Sequence, residues 1–228
     1  ALSLTFDSVV LKRRISFYKD RPDATYCEVD IHLLYAKGEA ADAFNDTLLA
    51  QLLTNMEGKP TPMMTSMEAT VDSFATRFEQ AWRNEIQADG FHPDSVPDFL
   101  NFTYSLRTQL LPAGEGHMAY HALTETYQGG AHGSYWSTVI NFDTATGRVL
   151  TLDDIFRAGY EAPLLRLIVR QLAKDAGLPN DSLATLHEAG YFWDEAPKMP
   201  TEFQLQPDGI LFIYNVYDIA CYAMGAQA

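Results

Sequence analysis

Between Gly129 and Phe156 the chain reads GGAHGSYWSTVINFDTATGRVLTLDDIF, and this stretch leaves few choices of fold. Gly129, Gly130 and Gly133 supply positive φ or close backbone approach, as a tight loop requires. Tyr135 to Phe142 then reads as a strand, Asp143 to Gly147 as a turn, and Val149 and Leu150 as a returning strand. Thr151 stands three residues before Asp154, a capping-box spacing with a shorter acid, and Asp153 and Asp154 lie where a helix amino terminus favours negative charge. Strand, turn, strand and helix start in such close succession suit an antiparallel sheet with helices added to it, not a parallel sheet built from alternating strands and helices.

The flanking segments agree. Tyr26 to Tyr35 alternates, with Cys27, Val29, Ile31, Leu33 and Tyr35 on one face and Glu28, Asp30 and His32 on the other, as in a strand with one solvated side. Phe44, Leu48, Leu49, Leu52, Leu53 and Met56 recur at helical spacing until Gly58 and Pro60. A second helix is expected after a capping box at Thr65 and Glu68, with Met67, Val71, Phe74, Phe78 and Trp82 as a core stripe ending near Gly90. From Phe99 the period returns to two: Leu100, Phe102, Tyr104, Leu106, Thr108 and Leu110 share a face. The PAGEG loop at Pro112–Gly116 leads back into His117–Tyr127 as a hairpin. A helix from about Glu161 to Ala176 precedes Gly177 and Pro179, and FQLQPDGILFIY reads as a closing hairpin turning at Pro207-Asp208-Gly209. The expected class is α+β, an antiparallel β-sheet with helices packed on one face and two sub-domain halves. Pro93–Pro97 is the seam: residues 1–96 form a strand-strand-helix-helix half, and residues 97–228 a half of antiparallel hairpins and a helix.

With 30 acidic and 16 basic residues the net charge is −14. Such a field repels phosphate backbones, which argues against nucleic acid, and it steers basic proteins or cationic ligands inward. No apolar run is long enough for a transmembrane helix. The chain opens directly on a strand, ALSLTFDSVV, as a processed amino terminus would. Cys27 and Cys221 are either two buried free thiols or, in an exported protein, a bridge across a long loop.

Chemistry is thinly represented. The glycines at 129–133 lack the Gly-Lys-Ser/Thr ending of a phosphate loop and precede a strand, so a steric role is expected. His132 is the histidine best placed to touch a ligand, with a local hydrogen bond that holds the loop as the simpler reading. His117 and His121 lack the glutamate of HExxH, and no metal is expected. There is no G-x-S-x-G elbow, no C-x-x-C pair, no EF-hand loop and no cofactor fingerprint. Tyr191, Phe192, Trp193, Tyr214, Tyr217 and Tyr222 crowd the last part of the chain, either as core or as a surface for glycan or protein.

GGAHGSYWSTVINFDTATGRVLTLDDIF and GILFIYNVYDIACYAMG together resemble an RsiV-like family of extracytoplasmic domains of unknown function. That family is typified by the lysozyme-receptor sensor domain of the anti-sigma-V factor and is related to the amino-terminal domain of some peptidoglycan deacetylases. The first segment is similar to its glycine-histidine loop, strand, Asp-x-x-Thr-Gly turn and helix start; the second to its closing Tyr-Glu/Asp-Ile-Ala-x-Tyr-Ala-x-Gly. Asp218 and Cys221 stand where the family has Glu and Pro, and the family continues into one more strand beyond the position of Ala228. The resemblance implies an exported module of the periplasm or cell surface, lipid- or membrane-anchored through its flanks, that binds a ligand and catalyses nothing.

Two functions follow as expectations. One is a non-enzymatic envelope domain that binds lysozyme or another cationic protein; the other is a cell-wall glycan (peptidoglycan) module used by wall-modifying enzymes. Gly129, Gly130, His132, Gly133, Tyr135, Trp193, Tyr217 and Asp218 are the candidate binding residues. An enzyme would have to rest on His132 and nearby acids.

Overall fold

The computed structural model describes residues 4–21, 25–55, 57–91, 95–96 and 100–228. Met56, Phe99 and most of the Pro93–Pro97 seam lie outside the described residues. Strands β1 (Thr5–Ser16) and β2 (Tyr26–Lys37) come first, then helices α1 (Ala41–Leu52) and α2 (Met67–Ala88). Strands β3 (Phe102–Pro112), β4 (His117–Gln128) and β5 (Ser134–Asp143) complete a five-stranded sheet in the order β1-β2-β3-β4-β5. Helices α3 (Leu152–Ile155), α4 (Glu161–Asp175) and α5 (Leu183–Glu188) follow, and the hairpin β6 (Glu202–Gln206) and β7 (Gly209–Ile213) forms a separate two-stranded sheet. The chain is α+β, as its pattern suggests.

The first sheet is not wholly antiparallel. β1 pairs antiparallel with β2, whereas β2 pairs parallel with β3, Cys27 opposite Phe102 through His32 opposite Arg107. The helices α1 and α2 lie between β2 and β3 in the chain, and a crossover of that kind returns the next strand in the same direction. Local alternation carries no sign of strand direction, so the parallel pair is invisible to it.

Two compact units are resolved, one of residues 1–109, 122–138 and 144–147 and the other of residues 110–121, 139–143 and 148–228. In the first unit α1 packs on β2, and α2 on β1 and β2. Cys27, Val29 and Ile31 are fully buried beneath them, with Phe44, Leu48, Val71 and Trp82 from the helices. The Trp82 indole N–H donates to the Leu100 carbonyl at 2.8 Å, so a large core ring leaves no buried donor unpaired. On the opposite face of β2, Asp30 gathers the Arg107 guanidinium at 2.7 Å and the Lys12 ammonium at 3.9 Å. The hydrogen bond from Arg107 holds the Asp30 carboxyl below its ordinary range. Helix α2 begins one residue later than Thr65 and Glu68 suggest. Ser66 is the N-cap, and its hydroxyl accepts the Ala69 N–H at 3.1 Å. Glu68 thereby sits at the second helical position, one short of the place a capping box needs.

In the second unit one apolar cluster joins Ile168, Val169 and Leu172 of α4 to Leu186 of α5, Ile219 and Ala220. Another joins Ala119 and Val139 to Leu150, Leu205 and Ile213. The hairpin meets β5 through side chains. Asn141 Nδ2 donates to the Phe203 carbonyl and Asn141 Oδ1 accepts the Leu205 N–H, both at 2.8 Å. The predicted capping box at Thr151 and Asp154 is present, and β6 turns into β7 with Gln206 opposite Gly209. Both cysteines are free thiols. Cys27 is buried, and desolvation pushes its thiol up to about 12. Cys221, expected inside, is exposed, because Ile219 and Ala220 take the inward positions of that segment. Among the described residues no helix is long and apolar enough to cross a membrane.

Candidate functional site

The candidate residues divide between the units. Gly129, Gly130, His132, Gly133 and Tyr135 belong to the first, and Trp193, Tyr217 and Asp218 to the second.

In the first unit the loop between β4 and β5 is internally tied. Gly129 and Gly130 have φ of 86° and 90°, which a side chain would strain. Gly133 is limited by space instead: a Cβ there would lie 2.6 Å from the Thr126 carbonyl oxygen. The Tyr127 hydroxyl donates to the Gly130 carbonyl at 2.9 Å. His132 Nδ1 is 2.7 Å from the Gly133 carbonyl; since a carbonyl can only accept, that nitrogen carries the proton. Tyr135 is the second residue of β5 and is half-buried. These contacts build a rigid loop with the histidine folded onto its own backbone.

In the second unit the six late aromatics separate by fate. Tyr191, Phe192 and Tyr214 are in the core, Tyr222 is half-buried, and Trp193 and Tyr217 are each 51% exposed. The exposed pair stands on unusual backbone. Among the described residues the non-glycine positions with positive φ are Phe192 (65°), Trp193 (51°), Asp194 (64°) and Tyr217 (67°). Left-handed conformation costs an L-residue about 1–2 kcal/mol, and only Asn, Asp and Gly visit it readily. Three aromatics hold it here because their surroundings are fixed. Phe192 is buried, and its N–H donates to the Ile219 carbonyl at 2.6 Å. Trp193 is thereby turned outward.

The Tyr217 turn is held by Asp218. Its Oδ2 accepts the Asn215 N–H at 2.7 Å and the Thr201 hydroxyl at 3.0 Å, while its own N–H donates to the Asn215 carbonyl at 3.0 Å. The Tyr217 ring lies 5.7 Å from that of Tyr222. Asp194 and Glu195 are exposed beside Trp193. The sequence pointed to Trp193, Tyr217 and Asp218; it did not reveal His187, whose Nε2 bonds the Glu195 carbonyl at 2.9 Å while Nδ1 lies 3.8 Å from Asp194. Its place on α5, four residues before Tyr191, was the only available hint.

Glu202 was also missed. Its Oε2 accepts the Val139 N–H at 2.8 Å. Burial, reinforced by the Asp218 charge, pushes its carboxyl up to about 7 against the opposing pull of that hydrogen bond. The same unit has a groove of about 660 Å³ along α4 and β7, with Arg170, Lys174 and Asp175 as its charged lining. For a cationic partner the acids around Trp193 are the better match. Among the described residues no three His, Cys, Asp or Glu side chains converge as metal ligands.

Comparisons with known proteins fit this architecture. No curated protein matches the chain. A solved structure of a DUF3298 family member from Bacteroides fragilis NCTC 9343 is similar at 26% identity and a TM-score of 0.78, over 99% of this chain and 89% of that one. A DUF3298 family protein from Pseudomonas aeruginosa PAO1 shares the fold, at 17% identity and a TM-score of 0.65, over 98% of this chain and 88% of that one. A family model of proteins of unknown function, DUF3298, matches residues 153–228. The matched segment, which carries Trp193, Tyr217 and Asp218, is similar to that family of proteins of unknown function.

Proposed function

We propose that this chain is a non-catalytic ligand-binding module of the cell envelope, working outside the cytoplasm, whose surface around Trp193 and Tyr217 seats a basic protein such as lysozyme. The observation that carries the reading is the coincidence of strain and exposure. The described non-glycine residues in left-handed conformation cluster at two exposed aromatics, and strain of this kind persists where a surface is needed in one shape. Rigid aromatic anchors dominate interface energetics. Asp194, Glu195 and Asp218 and the −14 net charge would draw a basic partner in. The RsiV-like resemblance supplies lysozyme as the partner to try first.

The test is calorimetric titration with a basic c-type lysozyme at low and moderate salt. The expected result is saturable one-to-one heat that weakens with salt and disappears in Trp193→Ala, a variant whose melting should stay close to that of the parent. Absence of heat overturns the reading.

A glycan reading draws on the same exposed rings, because Trp193 and the Tyr217–Tyr222 pair offer flat faces for sugar. Soluble muropeptide in the same cell distinguishes it: heat from muropeptide and none from lysozyme, lost in Tyr217→Ala, selects the wall glycan.

A further inference from the structure

We infer that the first unit carries a second binding site, an aromatic pocket for a compact apolar carboxylate. Helices α1 and α2 pack on β1 and β2. A cavity of about 230 Å³ remains, walled by Phe74 and Phe78 of α2, Phe102 and Tyr104 of β3 and Trp136 of β5. The rings brace one another: Phe74 is 4.8 Å and Phe78 5.6 Å from Tyr104, and Phe78 is 6.1 Å from Phe102. The walls are thus formed in advance of any ligand, which lowers the ordering cost of binding.

The polar groups of the lining fall into two sets. Tyr104 donates its hydroxyl to the Leu52 carbonyl at 3.2 Å, Thr61 donates to the Leu53 carbonyl at 2.8 Å, and Asn55 Oδ1 accepts the Glu57 and Lys59 N–H groups. These are committed to the protein's own backbone. Arg77 is not. The acids of α2 nearest to it in sequence are engaged elsewhere, since Asp72 and Glu79 take Arg13 at 2.7 and 2.6 Å. Its neighbours one helical turn away are Ser73, Phe74, Gln80 and Ala81. Among the described residues Arg77 has no ion pair, and the side chains of Gln51, Gln128 and Trp136, also in the lining, have no hydrogen-bond partner.

Among the described residues an acidic protein therefore leaves one guanidinium without an ion pair at an aromatic cavity, whose lining also holds an indole N–H and two carboxamides. That donor set suits a single carboxylate, which Arg can take in bidentate fashion, with an aryl or branched alkyl body against the rings. The volume lies below the roughly 300–1,000 Å³ of clefts that hold drug-sized molecules, so a one-ring ligand is the size that fits.

The probe is 3-phenylpropionate, with its neutral amide as control, titrated into the whole chain by nitrogen-15 NMR. The indole signal of Trp136 is identified by its absence in Trp136→Phe. Saturable movement of that signal by the acid is expected, with affinity for the amide weaker by about tenfold, the worth of one hydrogen bond to a charged group. Arg77→Gln, an exposed change that leaves the core untouched, should bring the acid down to the level of the amide. Trp193→Ala should leave the titration unchanged, which separates this site from the surface of the second unit. Equal binding of acid and amide, indifference to Arg77→Gln, or a Trp136 signal that does not move up to about 10 mM overturns the proposal.

Discussion

The Glu202 carboxylate accepts the backbone N–H of Val139 at 2.8 Å, tying the first residue of β6 to β5 inside the second unit. Desolvation outweighs that bond and raises the carboxyl to about 7. A carboxyl raised in the folded state binds its proton more tightly there than in the unfolded chain. Stability should accordingly fall as pH rises from about 4.5, where the unfolded group ionises, to about 7, where the folded one does. The loss attached to this group is on the order of 2 kcal/mol after allowance for partial solvation. Urea melts of the parent and Glu202→Gln at pH 5 and pH 8 check it: the variant should lack this part of the slope. Identical slopes would remove Glu202 as the cause.

Asp154 titrates in the opposite sense. The Thr151 N–H, the Arg148 guanidinium at 2.6 Å and the Thr151 hydroxyl hold it down to about 2. A depressed carboxyl stabilises above its unfolded value near 3.8, and that contribution is lost as pH falls toward 2. Asp154→Ala should melt below the parent at pH 7, and the gap should narrow between pH 4 and pH 3. A gap that is the same at pH 7 and pH 3 contradicts the assignment.

Two buried asparagines do the work of missing strand partners. Asn45 exchanges two 2.9 Å hydrogen bonds with the backbone of Ala36, and Asn141 makes its two to Phe203 and Leu205. Replacement by Leu leaves a buried N–H and carbonyl unpaired at each site. A loss of about 2–4 kcal/mol is expected for Asn45→Leu and for Asn141→Leu, measured by urea unfolding. A loss below half a kilocalorie would show that water replaces the amide.

The glycine loop should rank by cause. Gly133→Ala drives a Cβ to 2.6 Å from the Thr126 oxygen, whereas at Gly130 nothing lies within 4 Å and only the backbone angle objects. Gly133→Ala should cost about 2–3 kcal/mol and Gly130→Ala about 1 kcal/mol. Thermal unfolding that shows the reverse order would place the constraint in conformation alone.

Strain at Trp193 is measurable without its partner. Trp193→Ala and Trp193→Gly both remove the indole, but only glycine sits at φ 51° without penalty. The glycine variant should be the more stable by about 1 kcal/mol. Equal stabilities would mean that the segment relaxes once the indole is gone.

Much of the architecture was legible because it rests on near neighbours. Alternation through Cys27, Val29, Ile31 and Leu33 marks a half-buried strand, and those four are buried. The Thr151–Asp154 cap and the Pro-Asp-Gly hairpin appear where their residues occur. For the cap of α2, Thr65 and Ser66 are chemically equivalent candidates, and only the path of the chain selects Ser66.

What the amino-acid order determined by itself was the kind and sequence of elements: caps, turns and periodic faces are set by interactions within a few residues. The tertiary structure alone decided which neighbours distant residues would meet. It sent Tyr191, Phe192 and Tyr214 inward and Trp193 and Tyr217 outward. It paired β2 with β3 in parallel and half-buried Glu202, so that water stabilises its charge less than in the unfolded chain. It also placed Asp72 and Glu79 on Arg13, so that among the described residues Arg77 has no acid. Burial, desolvation and charge pairing depend on all the atoms that surround a group, and those come from parts of the chain that local patterns do not connect.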